Sequence, residues 1–379
     1  MIYQHPPPIN SSVDMNCIIL TINHDITELL ELLSTLGYKS IRTFYQHRSF
    51  PDNKYFFGKG KLQEVKEYIR ENKHVSYAIV NTILKPIQCY NLEQQLGIKV
   101  YDRIRLVLEI FQKHSSSKES HLQVESALLQ YEIPLIKEYV HRLKSGEHPG
   151  FFGGGEYKIE DYYNLVKKRL HKIKTELEEI RKNRKITRKK RQDRGFFHVT
   201  ITGYANAGKS SLFNILTESN VEVEERLFTT LSPKTKKIAN CKESIVITDT
   251  IGFIQNLPLY ILNSFQSTFE EIYSGDCVLL LLDGMDNINT FMMKYKTGLE
   301  YLRGHVQPEQ IITVINKIDG LEPANRQLKM EMIDGYQEYK TGSNIYQISC
   351  KTREGIENLR DEIIRRYYKN QKFKKQHWK

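Results

Sequence analysis

GYANAGKSS, residues 203–211, is the stretch from which the fold of this chain can be worked out. It sets Gly203, Gly208, Lys209 and Ser210 at the spacing G-x-x-x-x-G-K-[ST], between a strand-like run at 197–201 and a helix-like segment at 212–216. A turn in that setting binds phosphate, because its backbone N–H groups surround anionic oxygens and the following helix presents its positive end. Lys209 would reach the β- and γ-phosphates, and the Ser210 hydroxyl would bind Mg²⁺. The match alone leaves a chance occurrence or another nucleotide open.

Length and composition indicate a globular protein with several domains. The 379 residues leave room for two or three cores, and the longest apolar run, Cys277 to Leu282, is strand-sized and far too short to span a membrane. The first twelve residues resemble neither a secretory signal nor a transit peptide, so we expect no membrane insertion and a cytoplasmic location, or an organelle in a eukaryotic host. Five scattered cysteines indicate neither disulfides nor a zinc site. The formal net charge of +11 suits a polyanionic partner if the charge is concentrated.

Alternating strand-like and helix-like segments predict two α/β domains. Residues 17–120 read as a small parallel α/β layer after a disordered leader at 1–16. Residues 195–368 contain near-continuous apolar strands separated by helices, which predicts a parallel sheet covered on both faces. The last eleven residues, 369–379, are expected to form a basic, frayed tail.

Two long helices are predicted between residues 121 and 194. Apolar residues recur at heptad spacing in each segment, at Val124, Leu128, Tyr131 and Leu135, and at Val166, Leu170, Ile173, Leu177 and Ile180. A glycine-rich link at 146–155 joins them, which favours an antiparallel hairpin. Pro134 should end or kink the first helix.

The second helix finishes in a dense basic run, RKNRKITRKKRQDR at 181–194. One interpretation is a solvated helix end whose cations complement the C-terminal dipole. The other is a contact with structured RNA, because so many cations would repel one another without phosphates nearby. No aromatic residues are interleaved with the cations, so the second interpretation favours contacts to the RNA backbone over reading of its sequence.

Three further motifs follow the phosphate loop at predicted strand ends and indicate guanine. Asp249 can hold a Mg²⁺-bound water, and Gly252 of the same D-x-x-G motif can offer its N–H to a γ-phosphate. Asp319 can accept paired hydrogen bonds from guanine N1–H and its amine, a pattern that adenine does not offer. We therefore assign the α/β fold to a P-loop GTPase domain preceded by the small α/β domain and the hairpin. The predicted nucleotide contacts in these four motifs are Gly203, Tyr204, Ala205, Asn206, Ala207, Gly208, Lys209, Ser210 and Ser211, then Asp249, Thr250, Ile251 and Gly252, then Asn316, Lys317, Ile318 and Asp319, then Ser349, Cys350 and Lys351.

A polar segment between the phosphate loop and Asp249, LFTTLSP at 227–233, is the predicted γ-phosphate sensor. Thr230 would supply the second protein hydroxyl on Mg²⁺ only while a γ-phosphate is present, which would make the segment an order–disorder switch. The predicted contacts here are Phe228, Thr229, Thr230, Leu231 and Ser232. An ordinary polar turn is the alternative.

Taken together, these motifs resemble the HflX family of translation GTPases. The likeness rests on GYANAGKSSLFN, LFTTLSP, DTIGFIQNLP and NKID, and upstream on VYDRIRLVLEIF, HLQVESALLQYEIPLI and GGGEYKIE, so that it covers about residues 17 to 368. The resemblance implies a monomeric protein that binds GTP and GDP with Mg²⁺, associates with the rRNA of the large ribosomal subunit and promotes subunit separation or ribosome rescue. Gly154, Tyr157 and Lys158 depart from the family's glycine-rich segment, and Ser232 stands where an Asp is usual.

Phe253 occupies the position at which many GTPases carry the glutamine that orients the attacking water. An apolar ring cannot do this, so we expect slow intrinsic hydrolysis, with Lys209 and Thr230 stabilising the transition state. The ribosome, another segment or K⁺ would supply the missing group, and Asn206 of the phosphate loop resembles the residue found in K⁺-stimulated GTPases. Two alternatives remain: an RNA-binding assembly factor gated by GTP with negligible hydrolysis, and a GTPase acting in tRNA modification.

Overall fold

The computed structural model describes residues 15–144, 155–219, 231, 233–253, 257–336 and 345–377, and for 143–144, 155–159, 259 and 373–377 only the backbone. Residues 1–14 of the predicted leader and most of the glycine-rich link lie outside these residues, whereas Asn16, the last leader residue, already belongs to a strand. The chain divides into two compact units, one of residues 1–113 with 125–172 and one of 114–124 with 173–379. No described helix is long and apolar enough to cross a membrane.

The first unit contains a four-stranded parallel sheet with the order β2-β1-β3-β4. Its strands are β1 (Asn16–Thr21), β2 (Lys39–Tyr45), β3 (Tyr77–Val80) and β4 (Lys99–Asp102). The helices between and after them are α1 (Thr27–Leu36), α2 (Lys59–Glu71), α3 (Pro86–Leu96) and α4 (Arg103–His114). The pattern of continuous apolar strands followed by helices produces this layer, as the sequence predicted.

The two long helices are α5 (Lys118–Lys144) and α6 (Gly155–Asp193). Within the first unit they run in opposite directions, because Ile136 packs near Val166 while Glu125 binds Arg169 through two bonds of 2.6 and 2.7 Å. Of the two predicted effects of Pro134, ending the first helix is wrong, since α5 continues through it. Pro134 is exposed, so water can hydrogen-bond the carbonyl that receives no N–H from proline.

The second unit contains a six-stranded sheet with the order β10-β9-β8-β5-β7-β6. Its strands are β5 (Phe197–Gly203), β6 (Lys234–Lys237), β7 (Ile245–Asp249), β8 (Cys277–Asp283), β9 (Ile311–Asn316) and β10 (Ile345–Gln347). Five of them are parallel, and β6 pairs antiparallel with β7 at the edge. The sequence predicted a polar connection there, because the exposed residues of β6 show no apolar alternation.

The helices of the second unit differ from the sequence prediction at the C-terminal end. They are α7 (Lys209–Thr217), α8 (Leu259–Ser264), α9 (Gln266–Tyr273), α10 (Ile288–Leu302), α11 (Pro323–Asp334) and α12 (Ile356–His377). Phe265 separates α8 from α9. The prediction of a frayed tail at 369–379 is wrong, because α12 continues to His377.

Close packing of the central strands positions the phosphate loop. β5, β8 and β9 are almost wholly buried, so their carboxyl ends present loops at one edge of the sheet. Gly203, at the end of β5, has a φ of +140° and lies so near β8 that an added Cβ would come 2.2 Å from the carbonyl oxygen of Leu281. Only glycine allows the strand to turn at this point.

Candidate functional site

The phosphate loop turns tightly around its buried lysine. Gly208 has a φ of +92°, and a Cβ there would come 2.2 Å from the Asn316 amide nitrogen. Lys209 Nζ donates to the carbonyl of Tyr204 at 2.6 Å. Burial lowers the pKa of Lys209 to about 8, although the carboxylate of Asp249 favours its charged form. The loop therefore holds a cation at its centre, which is the charge that phosphate oxygens require.

Two oxygen-bearing side chains meet beside this lysine. The Ser210 hydroxyl donates to Asp249 Oδ2 at 2.8 Å, and both residues are buried. The motif continues to Gly252, where an added Cβ would lie 2.9 Å from Lys209 Nζ and 2.9 Å from Ala205 Cα. Within the described residues no group of three or more His, Cys, Asp or Glu side chains could hold a metal. A hydroxyl and one carboxylate suit Mg²⁺ that takes its other ligands from phosphates and water.

Asn316 connects this phosphate-binding part with the opposite end of the site. Its amide nitrogen donates to the carbonyl of Ala207 at 2.9 Å, and its Oδ1 accepts the N–H of Cys350 at 3.1 Å. The nitrogen and the oxygen of the buried Asn316 side-chain amide therefore join the phosphate loop to the loop after β10. The sequence predicted Asn316 as a nucleotide contact, and the structure shows that it braces two loops.

The other end of the site is formed by Asp319 and Ser349. The Ser349 hydroxyl donates to Asp319 Oδ1 at 2.6 Å and accepts the N–H groups of Lys351 and Thr352. This hydrogen bond is the main reason that the pKa of Asp319 lies below its usual value, so the exposed carboxylate is ionised at neutral pH. Burial raises the pKa of the neighbouring Cys350 thiol to about 12, which disfavours the reactive thiolate.

Lys317 is held by an ion pair at the end of β8. Its backbone has a φ of +64°, and its Nζ lies 2.6 Å from Asp283 Oδ2. Asp283 ends β8 and was missed, although an aspartate directly after a buried strand is a detectable signal. The ion pair fixes the Lys317 ammonium beside the end of β8. Ile318, between the two charged residues of the motif, is buried.

Of the predicted γ-phosphate sensor, Phe228, Thr229, Thr230 and Ser232 lie outside the described residues. Leu231 is described and buried. Tyr204, Ala205, Ala207, Thr250 and Ile251 are buried around the phosphate loop, whereas Asn206 is exposed with a φ of +63°.

Phe253 lies inside an aromatic stack. Its N–H donates to the Gly203 carbonyl at 2.9 Å and its own carbonyl accepts the N–H of Ala205 at 3.1 Å, so its backbone is fixed to the phosphate loop. Its ring stacks on Tyr301 at 4.8 Å and lies parallel to Phe269 at 6.4 Å between centroids. The ring is therefore committed to packing between α9 and α10.

A second charged network surrounds α9 within the same unit. Four arginines at a spacing of 3, 4 and 3 along α6 bind acids of α5 and α9. The pairs are Arg181 with Glu270 at 2.5 Å, Arg184 with Glu119 at 2.6 Å, and Arg188 and Arg191 both with Glu271 at 3.3 Å. Ser267 of α9 donates to Glu119 at 2.6 Å and accepts from Gln123 at 2.8 Å. Four of the nine cations in the basic run at 181–194 therefore bind protein carboxylates, a role that neither interpretation of the sequence included.

This network reaches the strand that ends at Asp249. Arg191 donates to the Thr235 hydroxyl at 3.3 Å, which lies 2.7 Å from the hydroxyl of Thr248. His198 Nε2 lies 2.7 Å from the same Thr248 hydroxyl. Burial lowers the pKa of His198 to about 4, so the ring is neutral at physiological pH.

Comparison with known proteins supports the assignment suggested by this site. Three family models match in succession: GTP-binding GTPase N-terminal at residues 23–112, GTP-binding GTPase Middle Region at 114–191 and 50S ribosome-binding GTPase at 198–317. GTPase HflX of Thermococcus kodakarensis is 41% identical over 89% of this chain and 76% of its own length. GTPase HflX of Saccharolobus solfataricus is 34% identical over 89% of this chain and 94% of its own.

The chain belongs to the HflX family of GTPases. A crystal structure of SsGBP in complex with GDP has 28% sequence identity and a TM-score of 0.52, and covers 93% of this chain and 99% of that one. This HflX protein is accordingly a GTPase with a guanine-nucleotide-binding P-loop domain, as the motifs predicted.

Proposed function

We propose that this HflX protein is a Mg²⁺-dependent nucleotide switch that associates with the large ribosomal subunit and promotes subunit dissociation or ribosome rescue. The observation that carries the nucleotide part is the Asn316 amide, which joins the phosphate loop to the loop beside Asp319. The ribosomal part draws on the description of the family model that matches residues 198–317, a 50S ribosome-binding GTPase. The predicted domain boundaries, including the GTPase domain at 195–368, belong to this proposal.

The proposed roles follow from the chemistry of each side chain. Lys209 binds the β- and γ-phosphates, while Ser210 and Thr230 bind Mg²⁺ and Asp249 holds one of its waters. Asp319 accepts from N1–H and the amine of guanine. Lys317, fixed by Asp283, packs along the base, and the backbone around Ser349, Cys350 and Lys351 meets the guanine oxygen.

Hydrolysis breaks the bond between the γ-phosphorus and the β–γ bridging oxygen as water attacks, leaving GDP and phosphate. Because the ring of Phe253 is committed to the stack with Tyr301 and Phe269, it does not orient that water. We infer slow intrinsic turnover that is accelerated when the ribosome, or K⁺ held near Asn206, completes the site.

The switch has a physical route to the hairpin. Asp249 is followed in the chain by α8 and α9, and Glu270 and Glu271 of α9 are bound by arginines of α6. Loss of the γ-phosphate would change the D-x-x-G segment, and these charge-assisted bonds would transmit that change to α6. Exposed lysines on the remaining faces of α6, Lys182, Lys185, Lys189 and Lys190, are left for rRNA phosphates.

Co-sedimentation with isolated large subunits and with assembled ribosomes tests the proposal. Protein loaded with a non-hydrolysable GTP analogue should bind more tightly than GDP-loaded protein and should release the small subunit from assembled ribosomes. Binding that is equal in both nucleotide states, with the subunits still joined, would exclude a ribosome-splitting role.

A second function, an RNA-binding assembly factor gated by GTP, is favoured by the position of Phe253. It predicts nucleotide-dependent binding to subunit precursors with turnover that ribosomes do not raise. Single-turnover hydrolysis with and without ribosomes separates the two functions.

A further inference from the structure

The carboxyl edge of the first unit's sheet carries an exposed aromatic ring that the GTPase cycle does not use. Phe50, in the loop between β2 and α2, is 80% exposed, the highest value among the large apolar side chains that the structure describes as exposed. In open parallel α/β sheets, ligands bind outside the carboxyl ends of the strands. A single exposed apolar residue is ordinary by itself, so its surroundings decide what it means.

The loop that presents Phe50 is firmly built. Asp52 exchanges backbone hydrogen bonds with Phe56 at 2.8 and 3.1 Å, and its carboxylate accepts the N–H groups of Lys54 and Tyr55 at 2.8 and 2.9 Å. From α3, Gln88 donates to the Asp52 carbonyl at 2.6 Å. The exposure of Phe50 is therefore imposed by an anchored loop.

Four cations lie on the loop that carries Phe50 or on the helices next to it. Arg48 lies two residues before Phe50, and its guanidinium is 3.4 Å from the position of a Cβ on Gly58, which places it beside Lys59 at the start of α2. Lys85 donates to the Asn53 side chain of the same loop at 3.1 Å. We call Arg48, Phe50, Lys54, Lys59 and Lys85 the β2–α2 patch.

The patch has little opposing charge. Arg48 and Lys59 form no salt bridge with any residue that the structure describes. The only acid in the loop itself, Asp52, is occupied by backbone N–H groups, which lower its pKa. The patch therefore presents four exposed cations and one exposed aromatic ring.

We propose that the β2–α2 patch binds single-stranded RNA, with one base stacked on Phe50 and the adjoining phosphates held by Arg48, Lys54, Lys59 and Lys85. Aromatic rings bind bases by stacking without reading sequence, and cations beside them track the backbone. A single exposed aromatic side chain offers neither a groove for an apolar peptide nor an apolar face for a membrane. This inference rests on the proposed function, because a ribosome supplies unpaired rRNA.

Fluorescence anisotropy with a short unstructured oligoadenylate and full-length, GDP-loaded protein tests the patch. Phe50→Ala should weaken binding roughly tenfold, and Phe50→Tyr should restore it, since a phenol ring still stacks. Lys59→Gln should lower the slope of log affinity against log salt by about 0.7, the value for one phosphate contact on a single strand. Leu30→Ala, which removes another exposed apolar side chain of the same unit, is the matched control.

Three results would overturn the inference. The first is that Phe50→Ala binds the oligonucleotide as tightly as the unchanged protein does. The second is that a free nucleoside triphosphate displaces the oligonucleotide at equal nucleotide concentration. The third is that polyglutamate displaces it equally well from the unchanged protein and from Phe50→Ala. Thermal unfolding and GDP affinity of each variant verify that the fold is retained. Failure of the unchanged protein to bind ribosomal subunits would count against the proposed function, whereas the oligonucleotide series alone judges the patch.

Discussion

At the scale of single residues, Asp319 determines which base the site accepts. Its ionised carboxylate can only accept hydrogen bonds, which matches the N1–H and amine of guanine. Xanthine carries a carbonyl in place of that amine, so Asp319→Asn, which offers a donor, should prefer it. We expect GDP affinity to fall at least a hundredfold and XDP affinity to rise above it, measured by fluorescent nucleotide displacement. A variant that kept its preference for GDP would show that another residue recognises the base.

His198 makes stability depend on pH. Its pKa is about 4 in the folded protein, below the ordinary 6.5, so between these values the unfolded chain takes up a proton that the folded one refuses. Stability is therefore fully present above pH 6.5 and is lost as the pH falls towards 4. From pH 7 to pH 5 this amounts to about 2 kcal/mol. Denaturant unfolding of His198→Gln should show a shallower pH dependence, and parallel curves for the two proteins would contradict the assignment.

At the scale of elements, the contact between α6 and α9 should be strong because it is buried. Glu271 is 4% exposed and binds two arginines, so Glu271→Gln should cost about 1–3 kcal/mol of unfolding free energy. The matched control is Glu178→Gln, since Glu178 pairs with Arg181 on the exposed side of α6 and should contribute less than about 0.5 kcal/mol.

Glu271→Gln also tests whether a change of nucleotide state is transmitted from α9 to α6. Hydrogen exchange of α6 between Arg181 and Arg191 should differ between GDP and a GTP analogue in the unchanged protein, and this difference should shrink in Glu271→Gln. If the nucleotide effect on α6 survives intact, the acid–arginine contacts are not the route.

Local patterns predicted the elements and missed what distant contacts determine. The phosphate loop and the strand-end motifs were found because each depends on neighbouring residues. The edge strand β6 was missed because Lys234 to Lys237 is wholly exposed, as lysine-rich edges that resist aggregation often are. Both interpretations of the basic run missed the ion pairs of the α6 arginines, because the acid partners Glu270 and Glu271 lie about 80 residues away in the chain.

At the scale of the whole molecule, the cations that give the chain its net charge of +11 lie in two kinds of environment. Arginines of α6 bind carboxylates inside the second unit, where their planar groups make directed bonds. Lysines of the same helix face solvent, where their charge is available to a polyanion. The composition indicated the partner class, and only the structure shows which cations are free to meet it.

Because Phe253 is packed away from the attacking water, the active site needs a group that the described part of the GTPase domain does not supply. With Phe253 packed against Tyr301, hydrolysis needs a charge or donor that the described residues around the phosphate loop do not present to the attacking water. Asn206 is exposed on that loop, so single-turnover hydrolysis should be roughly tenfold faster in K⁺ than in Na⁺ at equal ionic strength, and faster again with ribosomes. Asn206→Gly keeps the positive φ and should abolish the K⁺ effect alone. Asn240→Gly, at another exposed positive-φ asparagine, should leave it unchanged. Equal rates in K⁺ and Na⁺ would leave the ribosome as the remaining source of the missing group.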